Sequence, residues 1–305
     1  MAEDTESDEI MQCAGCGVKE GGDIKLRNCT ACYLVRYCGV KCQKGHRPKH
    51  KKECKKRAAE LRDEILFKEP ESSYPGDCPI CCVPLPIEGN KSAMMSCCCK
   101  RICRGCDYAN EIREKEGRLQ HTCPFCRHPA PESEEQVKIN YMKRVEANDP
   151  VAMNQMGHSS KDEGDYKKAF EYWTKAAKLG SMNAHFNVSQ LYHHGQGIEK
   201  NKKKEFYHLE EAAIGGDPLA RHNLGCEEAK FGRMDRAVKH LIIAAKQGDD
   251  LALKSLKLLY QDRIISKEVF ATALRDHKAA VDATKSPQRE AAEAAKQRAK
   301  DRIYV

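Results

Sequence analysis

The sequence predicts a multidomain chain in which two small metal-stabilised modules precede an all-α helical-repeat solenoid. Three observations carry that expectation. Seventeen of the 18 cysteines fall between Cys13 and Cys126, and only Cys226 lies outside. Alanines recur in the second half: Ala152, Ala184, Ala220 and Ala252 are 32, 36 and 32 residues apart. The chain of 305 residues is 32% charged, and apolar runs such as Leu241 to Ala245 are far too short to span a bilayer. Met1 to Glu9 has neither the basic flank nor the apolar stretch of a secretory signal. An intracellular location, in cytoplasm or nucleus and without membrane contact, is therefore expected. In such a compartment so many cysteines point to metal rather than to disulfides.

Residues 1–12 open the chain with five acids in the first ten positions and are expected to form a disordered acidic tail. The first cysteine cluster, 13–54, contains Cys13-x-x-Cys16, Cys29-x-x-Cys32, Cys38-x-x-x-Cys42 and His50-x-x-x-Cys54. A pair two residues apart puts both sulfurs on one tight turn, and a pair three apart puts both ligands on one helical face. Seven thiolates and an imidazole suffice for two tetrahedral zinc sites. So short a stretch, with few large apolar side chains, cannot bury an adequate core. Zinc would supply roughly 10–16 kcal/mol of folding free energy per site. His46 has the wrong spacing to Cys54 and reads as a surface histidine. Lys41 to Arg57 holds nine basic residues and one acid. Without an aromatic platform it reads as a solvated helix face, and nucleic acid is not the expected partner.

These pairs resemble a MYND zinc finger over Cys13 to Cys54, and Tyr37-Cys38 and Cys42-Gln43 also fit. The resemblance implies Cys13, Cys16, Cys38 and Cys42 on one zinc, and Cys29, Cys32, His50 and Cys54 on the other. It also implies peptide ligands. Family members that take proline-rich peptides usually have Trp where this chain has Arg47, so that particular activity is not implied.

Residues 55–77 read as a helix, with Ala58, Leu61, Ile65 and Leu66 at helical spacing, followed by a linker containing Pro70, Pro75 and Gly76. The second cluster, 78–127, contains Cys78-x-x-Cys81, Cys103-x-x-Cys106 and Cys123-x-x-Cys126, with Cys97-Cys98-Cys99 between the first two pairs. Three pairs and two members of the triplet again make two zinc sites, so four zinc ions are expected in all. Cys97 with Cys99, or Cys97 with Cys98, would serve. Cys82 is surplus and is expected to be a small buried residue.

This cluster resembles a RING domain. The resemblance implies Cys78, Cys81, Cys103 and Cys106 on one zinc, with Cys123, Cys126 and two of the triplet on the other. It further implies contact with a ubiquitin-conjugating enzyme through Ile80, Pro124 and Arg127, the last bridging carbonyls on two proteins with its guanidinium. A ligase of this kind has no nucleophile and catalyses by orienting the ubiquitin thioester. The competing expectation is a non-enzymatic zinc-dependent scaffold. A methyltransferase, in which MYND modules also occur, would need a cofactor-binding domain for which no residues remain.

A connector, 128–148, leads into the repeats, 149–284. Ala176-Ala177, Ala212-Ala213 and Ala244-Ala245 share the alanine period, and Gly180, Gly216 and Gly248 close each unit. Asp149-Pro150 and Asp217-Pro218 read as an N-cap followed by proline at the first helical position. Each unit is thus two antiparallel helices, with Phe170, Trp173, Leu209, Leu241 and Ile242 filling the interfaces, and stacking supplies what one pair cannot bury. The pattern resembles Sel-one-like tetratricopeptide-type repeats, which implies a protein-binding face. His193, His194 and His222 read as loop and surface histidines and Cys226 as a core thiol. Residues 285–305 read as a tail, its helix over Lys285 to Arg302 frayed or solvated, and Ile303-Tyr304-Val305 would suit a PDZ groove.

Overall fold

The computed structural model describes residues 12–301. The acidic tail, apart from Gln12, and the terminal Ile303-Tyr304-Val305 lie outside the described residues. The chain divides into two compact units, Met1–Lys68 and Glu69–Val305.

In the first unit a minimal antiparallel hairpin, β1 (Arg27–Asn28) and β2 (Arg36–Tyr37), precedes one long helix, α1 (Val40–Leu66). The buried cluster consists of Cys13, Cys29, Cys32 and Tyr37, flanked by residues such as Val18, Leu26 and Val35. The helix expected from residue 55 begins already at Val40 and runs through Pro48 without a break. Its second half carries helix-supporting ion pairs, Lys56 and Arg57 with Glu60, but little in the sequence of its first half favours it. Gly39 at the N-cap makes no side-chain hydrogen bond and the first turn has no acid. Lys41, Lys44 and Arg47 sit at the positive end of the helix dipole, with Asp63 and Glu64 towards the negative end, the reverse of the favourable arrangement.

The second unit opens with an anchored segment. The linker expected over 68–77 is held down from Glu69 onward: the Tyr74 hydroxyl donates to Asp217 Oδ2 at 2.8 Å, and Lys246 pairs with Glu69 at 2.6 Å. A hairpin follows, β3 (Ser92–Met95) antiparallel to β4 (Lys100–Cys103), with Ser92 opposite Cys103 and Met95 opposite Lys100. Its tip is the cysteine triplet. Helix α2 (Arg104–Gly117) starts directly after β4, and the Cys103 sulfur caps it by accepting from the Cys106 amide. The connector holds a third helix, α3 (Glu134–Glu146), which buries Tyr141; Asn140 Nδ2 on it donates to Ser96 Oγ at 3.2 Å.

The solenoid is four antiparallel helix pairs. They are α4 (Pro150–Asp162) with α5 (Tyr166–Lys178), α6 (Met182–His194) with α7 (Lys202–Ile214), α8 (Pro218–Lys230) with α9 (Met234–Lys246), and α10 (Asp250–Gln261) with α11 (Lys267–Ala283). Asp149, Ser181, Asp217 and Asp249 cap the first helix of each pair through their side chains, each satisfying otherwise orphaned amides. Gly180, Gly216 and Gly248 have φ of 87°, 93° and 90°, the left-handed stop expected after each second helix. The periodic alanines are fully buried, and Trp173, Leu209 and Leu241 fill the helix interfaces. Phe170 and Ile242 are only partly buried. Trp173 lies against Gly157, and its indole Nε1 donates to the Asn154 carbonyl at 3.1 Å.

The C-terminal stretch is largely solvated, as expected, but it is not frayed. Residues Pro287–Asp301 form α12, which packs on α2 along a narrow face, with Ala292 buried, Arg289 and Ala295 partly buried and the rest exposed. The tail lacks large apolar side chains because alanines line this face, and small residues let two helices approach closely. Among the described residues no helix is long and apolar enough to cross a membrane.

Candidate metal centres

The fold gathers sixteen ligand-type residues into four groups of four. Cys13, Cys16, Cys38 and Cys42 form the first; Cys29, Cys32, His50 and Cys54 the second; Cys78, Cys81, Cys103 and Cys106 the third; Cys97, Cys98, Cys123 and Cys126 the fourth. Within each group the ligand atoms lie within 4.8 Å of one another. In both modules the pairs interleave, first with third and second with fourth, so each group ties together distant stretches of chain.

Two elements position each group. In the first unit, α1 carries Cys42, His50 and Cys54, while the turns beside β1 and β2 bring the remaining cysteines to it. In the second, Cys103 and Cys106 stand at the start of α2, and the β3–β4 tip delivers Cys97 and Cys98 to the Cys123–Cys126 turn.

The spacing fits zinc. A tetrahedron with zinc–sulfur bonds near 2.3 Å has sulfur–sulfur edges of about 3.8 Å. The observed edges are 3.6 Å for Cys16–Cys38, 3.8 Å for Cys29–Cys54, 3.8 Å for Cys81–Cys103, 3.4 Å for Cys97–Cys126 and 3.9 Å for Cys98–Cys123. His50 presents Nε2 at 3.2 Å from Cys32 Sγ. All four groups are thus suited to a zinc ion.

The proton balance agrees. Burial opposes ionisation of Cys13, yet the amides of Cys38, Cys16 and Gly15 bring its thiol down to about 6. The neighbouring thiols of Cys42, Cys13 and Cys16 push Cys38 up to about 12. In the second group Cys29 falls to about 6, where burial is outweighed by the Ala31 amide and His50, while burial and Cys29 push Cys54 up to about 11. Cys78 falls to about 7 against burial, through the amides of Cys103, Cys81 and Ile80, and burial raises Cys106. Thiols this close cannot all ionise unless a cation shares the site.

The triplet is divided between two environments. Of the two pairings the sequence leaves open, the fold brings Cys97 and Cys98 into the fourth group and leaves Cys99 out of it. Cys99 has φ of 54°, and its side chain turns into a cluster with Tyr141, Ala152 and Met156. Burial and the nearby Asp149 carboxylate push its thiol up to about 11, the protonated form an apolar site prefers. Cys82 is exposed at φ 54°, not buried, and Cys226 is half-buried with its sulfur 3.6 Å from His222 Nε2. His46 is half-buried rather than on the surface, accepting or donating at Nδ1 to the Tyr37 hydroxyl at 3.1 Å and stacking on His50. His193 and His194 are exposed, His193 pairing with Glu205 at 2.9 Å.

Around the fourth group a second set of residues escaped the sequence reading. Glu114 is buried, and accepts from His121 Nδ1 at 2.7 Å, Thr122 Oγ1 at 2.7 Å, the Thr122 amide at 3.0 Å and Asn110 Nδ2 at 2.8 Å. Burial alone would raise its carboxyl, but these hydrogen bonds hold it at about 2. This carboxylate pins the approach to Cys123 onto α2. Arg127 Nη1 donates to Asn110 Oδ1 at 2.7 Å, from a backbone with φ of 62°. Ile80 and Phe125 are each 42% exposed, whereas Pro124 is buried, so its ring is not offered to a partner as expected.

Comparison with known proteins identifies two of these parts. Residues 7–54 match the MYND finger family, and residues 150–181, 183–217 and 219–249 match the Sel1 repeat. A Drosophila melanogaster protein described as a cytochrome c oxidase assembly factor 7 homolog is 52% identical over 40 residues, 13% of this chain and 15% of that protein. A Helicobacter pylori protein described as putative beta-lactamase HcpC is 39% identical over 56 residues, 18% of this chain and 19% of that one. The chain thus spans under a fifth of the length of either relative. A solved Sel1 repeat protein from Oxalobacter formigenes aligns at 25% identity and a TM-score of 0.41, covering 50% of this chain and 66% of that one. A MYND finger and Sel1 repeats, both protein-interaction modules, are therefore joined in one chain.

Proposed function

We propose that this chain is a zinc-dependent protein-interaction scaffold that binds four zinc ions through the sixteen gathered residues. Its MYND finger and its Sel1 repeats engage peptide or protein partners. The observation that carries this reading is the pair of interleaved ligand groups in each cysteine module, beside a solenoid that needs no metal. Native mass spectrometry of the reduced chain should find four zinc ions. A chain that folds fully without zinc, or that holds none after purification, overturns the reading.

A more specific reading is favoured by the second module. Its interleaved groups support a RING-like assignment, and two apolar side chains, Ile80 and Phe125, stand exposed on its cysteine turns. On this reading the module docks a ubiquitin-conjugating enzyme, with Ile80 in contact and Arg127 positioned from α2 by Asn110, while the other modules recruit substrate. The chain would orient the ubiquitin thioester without a nucleophile of its own. In an autoubiquitination assay Ile80→Ala and Arg127→Ala should lose product while retaining four zincs. A wild-type chain inert with a broad panel of conjugating enzymes refutes this reading and leaves the scaffold standing.

A further inference from the structure

Helix α12 returns from the last repeat to the second cysteine module, and its first turn meets the third ligand group. Arg289 Nη2 lies 3.6 Å from Cys81 Sγ and donates to the Val83 carbonyl at 2.9 Å. Its Nη1 donates to the carbonyls of Pro84 and Thr284, each at 2.6 Å. Gln288 Oε1 lies 3.8 Å from Cys106 Sγ. The two backbones touch here as well: a Cβ on Gly105 would sit 2.9 Å from the Arg289 nitrogen. One guanidinium thus joins the Cys78–Cys81 turn, the end of the solenoid and a ligand sulfur more than 200 residues earlier.

Four thiolates around a divalent cation leave a net charge of −2 on the centre. A cationic donor beside one sulfur offsets part of that charge, and carbonyls held by the same guanidinium keep the Cys78–Cys81 turn from opening.

We propose that Arg289 and the first turn of α12 are an outer part of the Cys78/Cys81/Cys103/Cys106 centre, so that this centre keeps its zinc only while the C-terminal helix is docked. The inference rests on the reading that this group holds zinc. It assigns Arg289 a positioning role and no ligation.

The test uses the full zinc-loaded chain at pH 7. Zinc release to a colorimetric chelator is followed while iodoacetamide labels freed thiols, and peptide mass spectrometry assigns each cysteine. Removing an outer-shell partner of a metal site typically costs 10–100-fold in affinity. In Arg289→Met, labelling of Cys78, Cys81, Cys103 and Cys106 should therefore rise about 10–100-fold, with the other three groups unchanged. Arg289→Lys, which keeps the charge without the planar fork, should fall between. Ala292→Arg, which forces α12 off α2 without touching a ligand, should reproduce the selective loosening. Equal labelling in wild type and Arg289→Met, or loosening of all four groups together, overturns the proposal. Absence of zinc from this group in the wild-type chain would instead remove the metal reading, and the inference with it.

Discussion

Replacing Gly157 by alanine tests how the first repeat is packed. The new methyl would stand 2.3 Å from Trp173 Nε1 and 2.5 Å from its Cδ1, where ordinary contact needs about 3.5–4.0 Å. Trp173 is 2% exposed, so the ring cannot swing into solvent and must shift by more than an ångström within a packed interface. That shift costs about 1–3 kcal/mol in overpacking. It also breaks the indole hydrogen bond to the Asn154 carbonyl, about 1 kcal/mol. Alanine recovers about 1 kcal/mol of helix propensity. The net expectation is a loss of about 1–3 kcal/mol. The equivalent glycine of the third repeat, Gly225, faces Leu241 at 3.0 Å, so Gly225→Ala should cost less. Trp173 is the chain's single tryptophan, so its emission during urea unfolding reports the solenoid alone. A Gly157→Ala chain as stable as wild type would refute the packing argument. If the clash is the cause, shrinking the ring in Gly157→Ala/Trp173→Leu should recover part of the loss by circular dichroism.

Three further outcomes are expected. Cys98→Ser should lower the zinc count from four to three by native mass spectrometry, whereas Cys99→Ala should leave it at four; the opposite pattern would reverse the division of the triplet. Tyr74→Phe removes the hydroxyl from the buried Asp217 carboxyl, whose pKa burial raises, and should cost about 1–2 kcal/mol while speeding amide exchange over 69–76. His208 is half-buried beside His185 and Lys204, and burial leads these in bringing its imidazole down to about 4. The unfolded chain takes up this proton near pH 6.5 and the folded chain only near 4, so solenoid stability should fall as pH drops between those values. Allowing for partial exposure, His208 accounts for about 2 kcal/mol of that fall, and His208→Gln, followed by Trp173 emission, should lose correspondingly less.

Much of the fold is legible because it repeats. The alanine period, the Asp-Pro caps and the closing glycines each have a local physical cause, so each can be read without knowing what they touch. The ligand pairs are legible for the same reason, since two sulfurs on one turn announce themselves. What stayed hidden depends on long-range contact. Cys97, Cys98 and Cys99 differ only in which way the hairpin tip turns them, and the φ of 54° that sends Cys99 inward has no signature in a run of three identical residues. Tyr74 sits among prolines and serines that read as linker, and its meaning comes from an aspartate 143 residues away. Helix α12 lacks large apolar residues, yet its backbone at Arg289 comes up against Gly105 at the start of α2, a close approach that weighing bulky side chains overlooks. Glu114 is one acid among several in a charged helix; only the hydrogen bonds it gathers distinguish it.

The 27 residues of α1 rise about 40 Å along one axis, and only the end nearest the hairpin is fastened by coordination. Beyond Cys54 the helix has fastenings of its own, the pairs of Arg57 with Glu60 and Glu64 and the buried Leu66. The stretch before it, with charges arrayed against the dipole and a proline inside, has little but its ligands to keep it wound. Loss of an ion from the second group would therefore be felt as unwinding between Val40 and Cys54, and a label on the exposed Lys52 should register it by a change in local tumbling.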